Sequence, residues 1–358
     1  MKTFQMISAM ILIAGFTLRG NAQNRNADVY EYPEIVGEFY RHYLTVPDIE
    51  GYETLKCDFH VHTVFSDGKV WPDQRVNEAW NEGLDVIAIT DHIEYRPHKD
   101  IVKSDFNKSF EIAKKRGDQI GMIVIKGSEI TRSKPLGHLN ALFLQDANKL
   151  DVPNELDAID EAVKQGAYIL WNHPGWPNDT STLYPVHKEL IAKNKLHGVE
   201  VFNGWESYPK VMDWCNEYRL APFANTDIHS TSANMYREKF QRPMTLVFAK
   251  ERSEEGVKEA LFAGRTVACF HHHLMGKETF LKEIIQRSLA VRVIDKEKNL
   301  IEVHNQSDIS HQIRYGKYPY PIALHPNQVF RLNLPSGTDV TFTNCFTGQD
   351  KCLVTDIW

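Results

Sequence analysis

The chain has 358 residues, 42% of them hydrophobic, 11% aromatic and 25% charged, which excludes a disordered polypeptide and leaves room for two domains. Its 41 basic residues against 47 acidic ones exclude a general polyanion-binding balance. The unusual count is 16 histidines.

Residues 1–22 read as a secretory signal peptide, with Lys2, an apolar run from Met6 to Leu18, and small residues Gly20 and Ala22 before a cut. The run is too short to cross a bilayer, and no later segment reaches that length. A secreted or periplasmic protein without a stable membrane anchor is expected. From residue 55 on, apolar β-like runs fall at 55–60, 86–90, 121–126, 139–144, 168–172, 198–203 and 222–226. Helical periodicity falls between them at 72–82, 105–116, 155–165, 187–195 and 210–219, with Gly117 expected to end the second helix. This alternation predicts an α/β fold of βα units with a mainly parallel sheet. Seven strands suffice for a barrel, and a doubly wound sheet is the alternative. The connection between Lys126 and Leu139 has no helical period and is too short for an ordinary parallel crossover. The fourth strand is therefore expected antiparallel to the third, with His138 at its start beside Glu129.

Nearly every strand ends in metal-ligand chemistry. The first runs into HVH and SDG, giving His60, His62 and Asp67. The second ends in TDH (His92), the third in GSE (Glu129), the fifth in NHP (His173), and the seventh in TDIH (Asp227 and His229). His60 and His62 are two apart on a strand, so they share a face, and Asp227 and His229 repeat that spacing. At the carboxyl ends of parallel strands these groups converge on one rim. Imidazoles and carboxylates in that number suit two or three divalent ions of the Zn, Mn or Fe type.

These motifs resemble the PHP (polymerase and histidinol phosphatase) superfamily of metal-dependent phosphoesterases. The carrying segments are HVH, SDG, GLDVIAITDH at 83–92, GSE, His173 and DIH. The GHLNALFL and NTDIHS surroundings are most similar to secreted phosphodiesterases of the Sb-PDE type. The resemblance covers about residues 52–275 and implies a distorted seven-stranded (β/α) barrel, in a domain expected to span residues 23–275. It also implies His60, His62, Asp67, His92, Glu129, His138, His173, Asp227 and His229 as metal ligands. The expected reaction is hydrolysis of a small-molecule phosphodiester, with Glu129 between two ions and Asp227 or His229 handling protons. A phosphomonoesterase, an amide or carbamate hydrolase, and a periplasmic metal- or phosphate-binding protein are the alternatives. No nucleic-acid partner is expected from the acidic balance.

Arg96, His98, Asn140 and Arg237 are the candidate substrate-binding residues, Arg96 as a phosphate clamp. Asp91 is a candidate to orient a ligand, and Trp171, Trp176 and Trp205 are candidates to wall a substrate pocket. His271, His272 and His273 read as a solvated loop. Residues 276–358 carry short β-like runs separated by turns and predict a small β-sandwich domain. Of the five cysteines, Cys345 and Cys352 flank a short loop and are expected to pair.

Overall fold

The computed structural model describes residues 41–237, 241–317 and 319–358. The expected leader, residues 1–22, lies outside them. The first strands are β1 (Glu53–Asp58), β2 (Val86–Ile89), β3 (Ile123–Thr131), β4 (His138–Leu142), β5 (Tyr168–Trp171), β6 (Gly198–Asn203), β7 (Glu206–Ser207) and β8 (Ala221–Asn225). Between them lie α1 (Pro72–Asn81), α2 (Lys108–Ile120), α3 (Glu155–Lys164), α4 (Pro185–Ala192) and α5 (Pro209–Tyr218). After them come α6 (Ser232–Met235), β9 (Met244–Ala249), α7 (Glu254–Phe262), β10 (Thr266–Phe270), β11 (His273–Gly276) and α8 (Glu278–Ser288).

β1, β2 and β3 are parallel neighbours through Cys57↔Val86 and Val86↔Ile123. β4 runs antiparallel to both β3 and β5, with Thr131 opposite His138 and Leu142 opposite Tyr168. The short 126–139 connection thus has the expected result, and β5, β6 and β8 resume the parallel direction. β2, β5, β6 and β8 are buried along their whole lengths, which is why they read as apolar runs rather than alternating ones. The ladder is mixed, and an isolated parallel bridge, Val61↔Ile228, joins the segments just beyond β1 and β8. His62 N–H donates to the Ile228 carbonyl and Asp227 N–H to that of His60.

Two buried arginines hold this seam. Arg75 donates to the carbonyls of His62, Ile228 and Ser230. Arg242 pairs with Asp58 at 2.7 Å and Glu82 at 2.8 Å. Asp58 also accepts from the Thr226 hydroxyl. Removing one member of such a buried pair typically costs about 3–5 kcal/mol, so the seam is rigid.

Two expected boundaries move. α2 continues through Gly117 and stops at Gly121, whose φ of 72° is the left-handed cap a glycine provides. A side chain at Gly117 would place Cβ 2.5 Å from Val124 Cγ2, so that glycine lets α2 approach β3. β3 runs on to Thr131, which puts Glu129 inside the strand rather than past its end.

The rest of the chain forms β12 (Leu289–Asp295), β13 (Leu300–Asn305), β14 (His311–Arg314), β15 (Ile322–Leu324), β16 (Val329–Asn333), β17 (Val340–Gly348) and β18 (Lys351–Thr355). β12, β13 and β16 make a separate sheet, while β14, β15, β17 and β18 continue the large one. β9 lies antiparallel to β1, β10 to β9, and β11 joins β17 in parallel through Leu274↔Cys345. One apolar core, including Leu246, Ile285, Ile301, Ile313 and Phe342, spans that junction. The expected Cys345–Cys352 disulfide is not formed, and all five cysteines are free. In the β17–β18 hairpin Cys352 lies opposite Phe346, one residue from Cys345. Cys352 thus sits opposite the neighbour of Cys345 rather than Cys345 itself, in a stretch where the pairing register is irregular.

Candidate metal centre

All nine expected ligands come together in one cleft. Glu129 lies at its floor because β3 extends to Thr131 and pairs with residues on both sides, the segment after β2 through the isolated bridge His92↔Glu129 and β4 through Glu129↔Asn140. His60 Nε2 and His62 Nε2 lie 3.0 and 3.1 Å from Glu129 Oε2, and 3.2 and 3.1 Å from Asp227 Oδ1. On one side Asp67 Oδ1 lies 3.1 Å from His229 Nε2 and 3.4 Å from His92 Nε2. On the other, His138 Nδ1 reaches Glu129 Oε1 at 2.6 Å and His173 Nε2 faces Asp227 Oδ2 at 3.8 Å. The donors thus fall into overlapping groups, each within 4.8 Å of its own members. Glu129 belongs to two of these groups, with one oxygen toward His60 and His62 and the other toward His138, the arrangement of a carboxylate between two cations, whereas Asp227 belongs to one.

The local chain is shaped for this. A Cβ at Gly68 would sit 2.7 Å from the His62 carbonyl carbon and oxygen, so only glycine lets the SDG turn fold back and aim Asp67. His173 and Asp227 adopt φ of 24° and 51°. Non-glycine residues held in that region store strain, which the rigid seam maintains at the site.

Electrostatics within the cluster are severe. Burial opposes the charge of His62, but Asp227 and Glu129 override it and push its pKa up to about 9. His60 is likewise raised against burial by Asp227, Glu200 and Glu129. Glu129, Asp227 and Asp67 are held below the usual carboxylate range by the surrounding imidazoles, again against burial. Burial lowers His173. His62 Nε2, Asp67 Oδ1 and Glu129 Oε1 are buried and make no hydrogen bond, although each has a partner at ion-pair distance. Donor atoms that face one another without hydrogen-bond geometry are what a cation between them would satisfy. The set therefore fits divalent ions bound by nitrogen and oxygen, with no thiolate contribution.

A family model described as the PHP domain matches residues 58–202, which includes seven of the nine ligands and stops short of Asp227 and His229. An uncharacterized protein of Methanocaldococcus jannaschii is 30% identical over 168 residues, 42% of this chain and 83% of that protein. The chain belongs to the PHP domain family. A second uncharacterized protein from the same organism is 27% identical over 189 residues, 49% of this chain and 82% of its own length. The PHP resemblance also extends to a solved structure: a two-domain protein from Bacteroides vulgatus containing a predicted PHP-like metal-dependent phosphoesterase. It is 39% identical, with a TM-score of 0.84, and the match covers 88% of this chain and 98% of that one.

The four expected substrate-binding residues of this PHP chain do not line the cleft, whose volume is about 490 Å³. Arg96 is spent on its own loop, donating to the carbonyls of Phe65 and Ser104 and stacking over Phe106. His98 lies on the same loop, where its carbonyl accepts from Ile101 and Val102. Asn140 is buried, donating to the Phe59 carbonyl and accepting from Asn172. Arg237 lines a different cavity, beside Arg242 and His271. Asp91 binds Thr63 and Ser66 and so braces the turn after His62. Trp176 lines the cleft, Trp171 is buried against Trp214, and Trp205 lines a separate apolar cavity. Of the histidine triplet, His271 is exposed as expected, whereas His272 accepts from Ser310 N–H and His273 stacks on Phe346, so those two are partly packed.

Sequence reasoning missed Glu200. Its Oε1 accepts from His60 Nδ1 and Asn225, and its Oε2 from His173 N–H and Asn203. A carboxylate behind a ligating imidazole fixes its tautomer and orientation. The signal was present: an acid in the middle of GVEVFN, a strand otherwise apolar enough to be wholly buried.

Proposed function

We propose that the chain is a metal-dependent phosphoesterase acting on small phosphodiesters, with two or three Zn, Mn or Fe ions held by the nine residues. The convergence of nine ligating side chains, three with buried unsatisfied donor or acceptor atoms, carries this reading. When bound, such ions withdraw charge from phosphate oxygens and acidify water. The chain's own work is to hold and orient. Glu129 presents one oxygen to each of two ligand groups. Glu200 fixes His60 and the His173 backbone. Asp227 and His229 lie nearer the mouth, with side chains 20% and 37% exposed, where the Asp227 carboxylate is positioned to accept a proton from water and the His229 imidazole to relay one toward a leaving alkoxide.

Among the described residues no lysine or arginine lines the cleft. A dianionic monoester would lean on the ions alone for charge balance, whereas a monoanionic diester asks less of them, which favours the diester. The same observation argues against a polyanionic nucleic acid. On this reading residues 23–275 are the hydrolase barrel, 276–358 a β-sandwich cap and 1–22 a leader for secretion. The test loads the protein with Mn or Zn, counts bound metal, and offers bis(4-nitrophenyl) phosphate, 4-nitrophenyl phosphate and a 4-nitrophenyl ester. Diester turnover abolished by Asp227→Ala is expected. Two or more bound equivalents with no phosphoester turnover would sink the reading.

A further inference from the structure

The mouth of the cleft carries chemistry that metal ligation leaves unused. Tyr95 and Trp176 line it and are 54% and 52% exposed. Tyr95 lies with its ring centroid 5.9 Å from that of His92, and Trp176 lies 5.0 Å from His138 and 5.7 Å from His173. Two large aromatic rings thus border the ligand cluster while offering surface to whatever enters. Glu94 and Glu206 share the same lining. Glu94 is engaged by Arg132 at 2.7 Å and by Thr131 N–H, so that pair is close to neutral. Arg132 is itself turned away, donating to the carbonyls of Val152 and Pro153. Glu206 accepts from the Tyr208 hydroxyl and forms no ion pair among the described residues. The rim therefore offers aromatic faces and an unpaired carboxylate.

Aromatic faces beside a carboxylate attract organic cations and disfavour anions. A phosphoester held at the ion cluster must extend one ester arm past this rim. We infer that the arm carries a positive charge, an ammonium or quaternary ammonium group seated against Trp176 and Tyr95 with Glu206 as its counter-charge. The inference rests on the phosphoesterase reading for the reaction, but the rim chemistry stands apart from the ligands. Trp176, Tyr95 and Glu206 would then be specificity residues of the cleft.

Two measurements test it on the full metal-loaded chain. The first compares 4-nitrophenyl phosphocholine with 4-nitrophenyl 3,3-dimethylbutyl phosphate, the same shape without the charge. The expected kcat/KM ratio is roughly tenfold in favour of the choline ester, the size of a partly desolvated cation–π contact. It should fall toward unity in Trp176→Leu and in Glu206→Gln. Equal rates for the two esters, or faster cleavage of a thymidine dinucleotide than of either, would overturn the inference. The second measurement titrates tetramethylammonium against tryptophan fluorescence, without turnover. A saturable change lost in Trp176→Leu is expected, and no change at all counts against the cation seat. Failure of every ester to react alongside a saturable tetramethylammonium signal would reject the phosphoesterase reading while keeping the seat.

Discussion

Replacing Glu200 by Gln isolates what the carboxylate behind the ligands contributes. Glu200 receives four donors: His60 Nδ1 at 2.9 Å and Asn225 Nδ2 at 2.9 Å on Oε1, His173 N at 2.6 Å and Asn203 Nδ2 at 2.8 Å on Oε2. A glutamine keeps one acceptor oxygen and turns an NH2 group toward the other two donors. Two buried donors are then stranded whichever way the amide lies. At about 1–3 kcal/mol for each, the metal-free fold should lose about 2–6 kcal/mol. His60 also loses its charged partner, and such partners typically contribute about 10–100-fold to metal affinity. Calorimetric titration of the metal-free protein with Mn or Zn reads the affinity, and a thermal melt reads the stability. A glutamine variant that binds metal within twofold of the parent and melts at the same temperature would refute the orienting role.

Other outcomes follow from the same geometry. Gly68→Ala forces a Cβ into the His62 backbone and should displace Asp67, which would appear as weaker binding of a metal equivalent in a protein with unchanged circular dichroism. His311 is buried, neither ring nitrogen finds a partner among the described residues, and burial lowers its pKa to about 3. His187 is lowered to about 4 for the same reason, despite the help of the Leu136 carbonyl. Both sit below the unfolded value of 6.5, so the unfolded chain binds more protons between those limits and stability falls as pH drops through that window. Between pH 7 and pH 4 His311 alone accounts for about 3 kcal/mol. Denaturant midpoints from pH 7 to pH 4 should therefore decline, and His311→Leu should flatten the curve; an unchanged slope would count against it. Thiol titration in denaturant without reductant should count five cysteines, and a mass two hydrogens light would contradict the free Cys345 and Cys352.

The ligands were legible because they sit at strand ends, where period and polarity change together. HVH and TDIH fall just past the ends of β1 and β8, where the chain is no longer a regular strand and Asp227 has a φ of 51°, so their spacing located the pairs without describing the local backbone; the short 126–139 link was enough to reverse β4 and bring His138 to Glu129. The substrate-binding guesses failed for a physical reason. Arg96 and Asn140 look free in a sequence, but their donors are taken by carbonyls that only the folded loops present. Cys345 and Cys352 were misread because loop length says nothing about register. β9 escaped notice since it lies outside the βα alternation and adds to β1 from the opposite direction. Glu206 and Tyr95 carry no motif, and their placement beside the ligands depends on loops that no periodicity describes.

The parallel pairing of β11 with β17 orders events during synthesis. β11 ends at Gly276, yet its neighbour begins at Val340. While the ribosome makes the intervening chain, Leu274 and Met275 pair with β10 on one side and have no strand on the other. That edge is continuous with β10, β9 and β1, the strand that delivers His60 and His62. Folding of the metal-bearing half is therefore exposed to misassociation until the last segment emerges, and the late segment acts as the closing piece. A nonsense mutation between residues 277 and 339 would leave all nine candidate ligands encoded and that sheet edge still open.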